Sequence, residues 1–239
     1  MTNMLFREDA YMRDAIADVV EHTAEGGIVL DSSIFYPTGG GQPGDSGVIA
    51  WAGSEMTIAT TLKGEGDQIV LVPAEPSNLP PVGTTVDTSL DWDRRFGHMR
   101  MHSALHLLSV VMPYGVTGGS IGAGRGRLDF DMEDAPTEGD MIEEALNALV
   151  SADMRISESW ITDAELAATP SLVKTLSVQP PRGQDRIRLV RIGEGDATID
   201  LQPCGGTHVA RTGEIGALKL GKIEKKGRKN RRVYLHFDI

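Results

Sequence analysis

Short apolar runs, separated by glycine, proline and polar residues, characterise the first third of the chain. Runs of this kind that are rich in β-branched residues are typical of β-strands. Four of them stand out: Gly27–Leu30, Gly47–Trp51, Met56–Leu62 and Gln68–Val72. Several short strands at such spacing indicate a small β-barrel or sandwich. The pattern therefore predicts a β-rich domain over residues 1–90.

After residue 90 the spacing of apolar residues changes from that of strands to that of a helix. Apolar positions recur at helical spacing from about 93 to 112, and Pro113 ends this helix because proline cannot continue it. We interpret residues 115–126 as a turn-rich segment, and residues 127–132 alternate as a half-buried strand does. A second helix is predicted from Glu138 to about Asp153, with an apolar stripe along one face.

Further strand-like runs complete the second part of the chain: Arg155–Ile161, Ile187–Ile192, Ala217–Ile223 and Arg232–Phe237. A sequence that mixes helices and strands in this irregular order is typical of an α+β domain. The predicted fold class is therefore α+β, with a small β-barrel-like domain over residues 1–90 and an α+β domain over residues 91–239.

Composition narrows the class of protein. The 239 residues are 40% hydrophobic, which is enough for a substantial core. The single cysteine excludes an internal disulfide framework, and we find neither an apolar signal segment nor a run long enough to span a bilayer. We expect a soluble cytoplasmic protein without a membrane partner, and its oligomeric state stays open between a monomer and a weak dimer.

Charge is distributed unevenly along the chain. The formal net charge is -11, yet residues 219–232 contain eight Lys or Arg and one Glu and so carry +7, which leaves -18 on the remainder. A basic strip on an acidic body suits a polyanion that contacts one edge of the protein. A solvated charge run beside a terminal strand is the alternative interpretation of the same residues.

A split pair of metal-ligand motifs is the most specific chemical signal. His102 and His106 are spaced i, i+4 on the predicted helix, so both imidazoles project from one face. Cys204 and His208 lie far downstream in a Gly-Gly turn, which follows the short apolar segment Ala197–Leu201. Three nitrogens and one sulfur suit zinc better than magnesium or calcium. The alternative, unrelated histidines and a buried cysteine, requires a coincidence of four ligand residues.

Two neighbouring features qualify this site. The residues between His102 and His106 include no glutamate, so the motif differs from that of the zinc proteases, in which such a residue is the general base. His98 extends the same stripe by one turn and is either an exchangeable ligand or, in our preferred interpretation, a contact to substrate or solvent.

A glycine-rich loop precedes the helix. Residues 35–47 contain five glycines, which allow positive φ and close approach of a ligand to the backbone. The loop lacks the lysine and Ser/Thr of a phosphate-binding P-loop, so a nucleoside-triphosphate site is not expected. An ordinary tight turn is the alternative. Gln42 is the candidate polar contact within this loop.

Five segments, in order, resemble the editing module of alanyl-tRNA synthetase: FYPTGGGQPGDSG, WDRRFGHMRMHSALHLLS, RLDFDM, PCGGTHV and KIEKKGRKNRRVYL. The resemblance is closest to the free-standing alanyl-tRNA editing proteins of the AlaX type, in their medium-length form, and it runs from about Val29 to the C-terminus. The five segments in this order are far more specific for the family than any one of the segments alone. No ATP-binding aminoacylation module is evident, so the resemblance implies editing in trans.

The resemblance implies a zinc-binding editing domain of the threonyl/alanyl-tRNA synthetase type and a hydrolase acting on mischarged tRNA(Ala). Its substrates would be chiefly Ser-tRNA(Ala), and also Gly-tRNA(Ala), and its Zn2+ ligands would be His102, His106, Cys204 and His208. Zinc could either hold the structure or offer an open coordination position. The alternatives are a non-catalytic zinc-stabilised tRNA-binding module and an enzyme that edits Ser-tRNA(Thr).

Three sets of residues are candidates for the remaining roles under this interpretation. The catalytic candidates are Gln42, Thr207 and Asp129, although an exposed strand carboxylate is the simpler interpretation of Asp129. The substrate-binding candidates are Thr38, Gly39, Gly40, Gly41 and His98. The tRNA-binding candidates are Lys225, Lys226, Arg228, Arg231 and Arg232.

Overall fold

A computed structural model describes residues 1–75, 78–136, 139–175 and 186–238. They form two compact units, Met1–Gly97 and His98–Ile239, which are described separately below. The division falls inside a helix rather than at residue 90. Whether residues 1–90 and 91–239 are functional domains stays a prediction.

The first unit is built on a closed six-stranded barrel, with the order β2-β3-β7-β6-β5-β8. The strands of this unit are β1 Asn3–Met4, β2 Asp14–His22, β3 Ile28–Leu30, β4 Ser32–Ser33, β5 Gly47–Trp51, β6 Ser54–Lys63, β7 Ile69–Pro73 and β8 Thr85–Leu90. The short strands β1 and β4 pair in parallel outside the barrel. The predicted barrel is confirmed, and its predicted strands correspond to β3, β5, β6 and β7.

Two barrel strands, β2 and β8, escaped prediction, and β8 did so because it contains few apolar residues. Strand β8 reads TVDTSL and alternates between exposed and buried positions, with Val86, Thr88 and Leu90 facing inward. Strand β2 pairs with β8 over residues 14–18 and closes the barrel. Closure therefore comes from backbone pairing of β2 with β8, and both strands also contribute side chains, such as Val19 and Val86, to the apolar interior.

A buried ion pair holds the glycine-rich loop of this unit. Helix α1, Trp92–Val111, begins after β8, and Arg95 in its first turn is completely buried. Its guanidinium donates to Asp45 (Nε–Oδ2 2.9 Å) and to the carbonyl oxygens of Ala10 (2.9 Å) and Ile34 (2.6 Å). Asp45 also accepts a hydrogen bond from the backbone N–H of Tyr36 (2.6 Å). The pair thus ties both ends of the loop to the helix.

The second unit contains most of α1 and two antiparallel sheets. A four-stranded sheet has the order β14-β15-β10-β9, and a three-stranded sheet has the order β11-β12-β13. The elements are β9 Val116–Ile121, β10 Arg125–Asp131, α2 Gly139–Ser151, β11 Ile156–Ile161, α3 Asp163–Ala168, β12 Ile187–Ile192, β13 Asp200–Pro203, β14 Leu218–Gly227 and β15 Asn230–Phe237. The predicted second helix corresponds to α2, and Glu138, its predicted first residue, lies outside the described residues.

One local prediction was wrong. Residues 115–126 were interpreted as turns, yet residues 116–121 form β9, which pairs with β10 from Ile121↔Gly126 to Gly118↔Asp129. Glycine is unfavourable in isolated strands, and here the ladder to β10 supplies the stabilisation that the local sequence lacks.

Both long helices pack on one face of the four-stranded sheet. Gly126 on β10 lies so close to Met101 of α1 that a β-carbon would approach its sulfur to 2.7 Å. On α2, Asn147 receives a hydrogen bond from the Leu218 N–H (2.9 Å) and donates one to the Leu218 carbonyl oxygen (2.8 Å). None of the helices within the described ranges has the length and hydropathy needed to cross a bilayer.

We expect Arg95→Met to lower the free energy of unfolding by about 3–5 kcal/mol, because it leaves the Asp45 carboxylate buried without its counter-charge. Urea denaturation followed by circular dichroism measures the change. Lys63→Met, which removes an exposed cation of β6, is the matched control and should change stability by less than about 0.5 kcal/mol. Equal effects of the two substitutions would contradict the role given to the pair.

Candidate metal centre

Four side chains from two distant segments converge in the second unit. His102 and His106 lie one turn apart on α1, and Cys204 and His208 lie in the loop that follows β13. Their ligand atoms all lie within 4.8 Å of one another. The three histidines are buried and Cys204 is half-buried. The two motifs that were separated in sequence therefore form one cluster in space.

The spacing of this cluster fits a tetrahedral metal ion. The Cys204 Sγ lies 3.4 Å from His102 Nε2 and 3.3 Å from His208 Nε2. Zinc–sulfur and zinc–nitrogen bonds of ordinary length at a tetrahedral angle place such atoms about 3.5 Å apart. One thiolate and three imidazoles are also the donor types that zinc prefers.

Hydrogen bonds to the outer ring nitrogens orient two of the imidazoles. The Nδ1 atom of His106 lies 2.8 Å from Asp200 Oδ2, and the Nδ1 atom of His208 lies 3.1 Å from Ser103 Oγ. Because Nδ1 is engaged in both rings, Nε2 is left to face the cluster. Asp200 is itself held by Lys174 (Nζ–Oδ1 2.5 Å) and by the Gln202 amide (2.9 Å).

The electrostatics of the cluster favour the metal-binding forms of Cys204 and His208 and oppose that of His106, which has to release its proton when a metal binds. Burial alone would raise the pKa of the Cys204 thiol, but electrostatic interactions and hydrogen bonds with the neighbouring imidazoles outweigh it and hold that pKa well below its usual value. Burial and the neighbouring His102 lower the pKa of His208 well below its usual value. Burial opposes charge on His106, yet hydrogen bonds to Asp200 and Cys204 raise its pKa to about 9. A thiolate and a neutral imidazole are the forms that bind metal.

Arg188 on β12 fixes the loop that carries the thiol. Its Nη1 atom donates to the carbonyl oxygens of Cys204 (2.9 Å) and Gly206 (2.8 Å), and its Nε atom donates to Glu158 (2.8 Å). The guanidinium is almost completely buried, with its charge balanced by Glu158 on β11. The Gly-Gly turn is thereby held by a side chain from the neighbouring strand.

Known proteins resemble this chain in both units. A family model described as the threonyl and alanyl tRNA synthetase second additional domain matches residues 187–234, and one described as tRNA synthetases class II (A) matches residues 8–94. The alanyl-tRNA editing protein AlaX-M of Methanosarcina barkeri is 34% identical, and that of Saccharolobus solfataricus is 33% identical, each over 98% of both chains. The chain belongs to the AlaX family of alanyl-tRNA editing proteins.

Synthetases are similar over a shorter part of their own length. The alanine–tRNA ligase of Caldivirga maquilingensis is 36% identical over 94% of this chain but only 25% of the ligase. The family model for the second additional domain spans β12, β13, β14 and part of β15, and so includes Cys204 and His208. His102 and His106 lie outside both matched ranges.

Sequence reasoning missed Asp200, Gln202 and Arg188 as parts of this AlaX centre. Residues 197–201 were interpreted as a short apolar segment, whereas Asp200 begins β13. Asp200 and Gln202 are buried, while Leu201 and Pro203 are half-buried. Alternation of two polar residues leading to Cys204 was the available signal, since every second residue of a strand shares a face.

Other candidate site residues of the second unit lie in different surroundings. Thr207 is buried beside His208 in the chain, and His98 is buried on α1 one turn before His102. Asp129 is buried on β10 and accepts hydrogen bonds from Arg127 (2.8 Å) and, through both oxygens, from Arg232 (2.7 and 2.9 Å). The two arginines overcome the effect of burial and lower the pKa of Asp129.

The glycine-rich loop of the AlaX chain lies in the first unit. Gly39 and Gln42 exchange two backbone hydrogen bonds (3.0 and 2.9 Å), and the intervening Gly40 and Gly41 have φ of 57° and 82°. The Thr38 hydroxyl accepts from the Gly44 N–H (2.9 Å). Gln42 is buried, whereas Thr38, Gly40 and Gly41 are exposed. Two glycines are thus required by backbone conformation.

The basic strip divides between two surroundings. Lys225, Lys226 and Arg228 are exposed at the tip of the β14–β15 hairpin. Arg231 is buried, and its Nη1 atom donates to the carbonyl oxygens of Gly227 (2.9 Å) and Asn230 (3.1 Å). Arg232 is engaged by Asp129. Of the five candidate residues, the three at the hairpin tip therefore carry the positive charge that is most accessible to a ligand.

We expect Asp200→Asn to lower affinity for zinc by about 10- to 100-fold, because the amide loses the negative charge that orients and polarises His106. Competition with a chromophoric chelator measures the dissociation constant. Asp196→Asn makes the same change at an exposed position four residues earlier and should leave the affinity unaltered. Equal zinc affinity in the two variants would show that Asp200 does not support the metal centre.

Proposed function

We propose that this chain hydrolyses the ester bond of mischarged tRNA(Ala) in trans, chiefly Ser-tRNA(Ala) and also Gly-tRNA(Ala). The observation that carries the proposal is the convergence of His102, His106, Cys204 and His208 within 4.8 Å. It occurs in a chain that aligns over nearly its whole length with proteins named for alanyl-tRNA editing. The same alignment supports tRNA(Ala) as the partner.

Zinc is the metal we propose for the centre; with one coordination position open to the substrate it would supply Lewis-acid stabilisation of the charge that develops at an ester carbonyl, and with all four side chains bound it would hold the structure of the site. The protein groups prepare this chemistry before substrate arrives. Asp200 and Ser103 fix the rings of His106 and His208, and Arg188 fixes the Cys204 loop. Preorganised groups of this kind reduce the reorganisation that the transition state would otherwise require.

Selectivity for serine over alanine requires a contact to the serine hydroxyl, because alanine is smaller by one oxygen, whereas selectivity for glycine requires steric exclusion of the alanine methyl group. A site with a polar partner for the serine hydroxyl leaves that partner unpaired when alanine binds, which can discriminate strongly. We propose Thr207 for this role, since it is a buried hydroxyl next to the ligand His208. Gln42 and Thr38 of the glycine-rich loop, with Gly39, Gly40 and Gly41, are proposed as further substrate contacts, as is His98.

Asp129 is less suited to catalysis than to structure. Its carboxylate accepts three hydrogen bonds from two arginines, and these keep it ionised and occupied. A general base needs a carboxylate oxygen within reach of the attacking water. We therefore propose Asp129 as a support for Arg127 and Arg232 in place of a direct catalytic role.

We expect the wild-type protein to release serine from Ser-tRNA(Ala) and glycine from Gly-tRNA(Ala) while Ala-tRNA(Ala) survives. Cys204→Ala should abolish release and lower the zinc content, because it removes one of the four ligands. Thr207→Val should slow release of serine without changing the zinc content, and Thr57→Val, at an exposed barrel position, is its matched control. Deacylation of radiolabelled tRNA, with zinc measured on each preparation, tests these expectations.

Failure of this assay has distinct meanings. Wild type that binds tRNA and zinc but releases no amino acid would replace the hydrolase with a zinc-stabilised tRNA-binding module. Release from Ser-tRNA(Thr) in preference to Ser-tRNA(Ala) would assign the chain to threonine editing, and exchange of acceptor-stem base pairs between the two tRNAs would locate the determinant.

We expect the exposed hairpin cations to contribute affinity that depends strongly on salt. Replacing Lys225, Lys226 and Arg228 together by alanine should weaken tRNA binding and reduce the slope of log K against log [salt] by about 0.7–0.9 for each phosphate that the variant no longer neutralises. Filter binding between about 50 and 200 mM salt measures the slope, because phosphate neutralisation is strongly salt-dependent in this range. Arg155→Ala, at an exposed cation of the same unit, is the control. An unchanged slope in the triple variant would exclude this hairpin from the tRNA interface.

A further inference from the structure

The four-stranded sheet has an outer face, which is the face opposite helices α1 and α2. Cross-strand pairing places three residues of β10 on it beside three residues of β15: Arg125↔His236, Arg127↔Tyr234 and Asp129↔Arg232. The intervening residues Leu128, Val233 and Leu235 point into the core and are buried. Strand alternation therefore separates an apolar inner face from a polar outer face, which carries three arginines, Asp129, His236 and the ring of Tyr234.

Tyr234 lies between two cations on this face. The guanidinium carbon of Arg125 is 5.9 Å from the ring centroid, and the Lys222 Nζ is 5.4 Å from it. The hydroxyl donates to Glu224 (3.3 Å), which fixes the ring by its edge. Arg125 and Lys222 are exposed, and Lys222 forms an ion pair with the same Glu224 that holds the ring.

A groove of about 410 Å³ opens beside this ring. Tyr234, Arg125 and Arg127 line it together with Ser120 and the bare backbone of Gly122 and Gly124. Its volume falls in the range of about 300–1,000 Å³ that is usual for small-molecule sites. Glycines along one wall allow a ligand backbone to approach closely.

The charge of the outer face opposes that of the whole chain. Five cations lie on it, namely Arg125, Arg127, Lys219, Lys222 and Arg232, against the two carboxylates of Asp129 and Glu224. Asp129 is neutralised by its two arginines. The face is thus positive on a protein whose net charge is -11, so that a polyanion is attracted here and repelled by most of the remaining surface.

We propose that the outer face binds an unpaired nucleotide of the tRNA, with its base stacked on Tyr234 and its phosphates held by Arg125 and Lys222. This inference rests on the proposed function for the identity of the RNA. An aromatic ring beside exposed cations is the arrangement that single-stranded nucleic-acid sites use, because every base offers a stacking surface while the cations hold the backbone. The groove accommodates the sugar and phosphate next to the stacked base.

RNA suits this face better than a protein partner. The core of a protein interface is depleted of charged residues, whereas five cations surround the single ring here. The outer face is also continuous with the β14–β15 hairpin, whose tip carries Lys225, Lys226 and Arg228. One RNA strand could therefore contact both.

The test is the affinity of the full-length protein for uncharged tRNA(Ala), which does not depend on hydrolysis. Tyr234→Ala should weaken binding by about tenfold, and Tyr234→Phe should restore it because the ring is retained. Arg125→Gln should weaken binding and lower the salt slope by about one. The matched controls are Trp160→Ala, an exposed aromatic residue on the other sheet, and Arg155→Gln, an exposed cation elsewhere in this unit.

Two results would overturn the proposal: affinity that is unchanged in both Tyr234→Ala and Arg125→Gln, or losses that the controls reproduce. Circular dichroism and zinc content identify a variant that fails to fold. If Tyr234→Ala fails in this way, the proposal is tested by the salt dependence of tRNA binding by Arg125→Gln. Failure of the proposed function has a different signature, which is tRNA binding without release of amino acid by the wild type. A wild-type protein that does not bind tRNA at all would contradict both the proposed function and this inference.

Discussion

Burial of four metal-ligand side chains is the constraint on which the second unit depends. Imidazoles and a thiol packed within 4.8 Å need partners for their remaining polar atoms, because unpaired groups in a protein interior are costly. The surrounding elements supply these partners: Ser103 from α1, Asp200 from β13, and Arg188 from β12 through the loop carbonyls. Helix α1 fixes two ligands one turn apart, and alternation along β13 aims Asp200 and Gln202 at the same place.

The buried charges around the metal-ligand side chains depend on one another, because each is balanced by an oppositely charged or polar partner. Asp200 lies between Lys174 and His106, and Arg188 lies between Glu158 and two carbonyl groups. Loss of one partner from a buried pair leaves an uncompensated charge in the protein interior. The same logic operates in the first unit, where Arg95 joins Asp45 to the helix that carries the first two ligands further along. Both units therefore place a buried ionic group next to a glycine-containing loop.

The features that could be predicted from the sequence are those that depend on a local pattern of residues. The helical spacing of His102 and His106 and the strands β5 and β12 agree with their predicted forms, because each rests on its own periodicity. Strand β9 could not be found, since Gly118, Gly119 and Ser120 carry no alternation and become a strand only by pairing with β10. The partners of His106 were missed for a related reason: the side chain that meets a ligand is determined by tertiary packing, and the spacing of ligands along the chain contains no information about it.

Register explains why the cations of the basic strip lie in two different surroundings. Arg231 and Arg232 are neighbours in sequence, yet pairing with Phe130 and Asp129 turns one into the protein and the other to the outer face. Alternation then groups Arg232 with Tyr234, while the hairpin tip groups the lysines. In our proposal these two surfaces attract RNA by different interactions, because phosphate contacts weaken as salt rises whereas base stacking is much less sensitive to it. An acidic protein can thus hold a polyanion through a small basic area if an aromatic ring supplies affinity that salt does not screen.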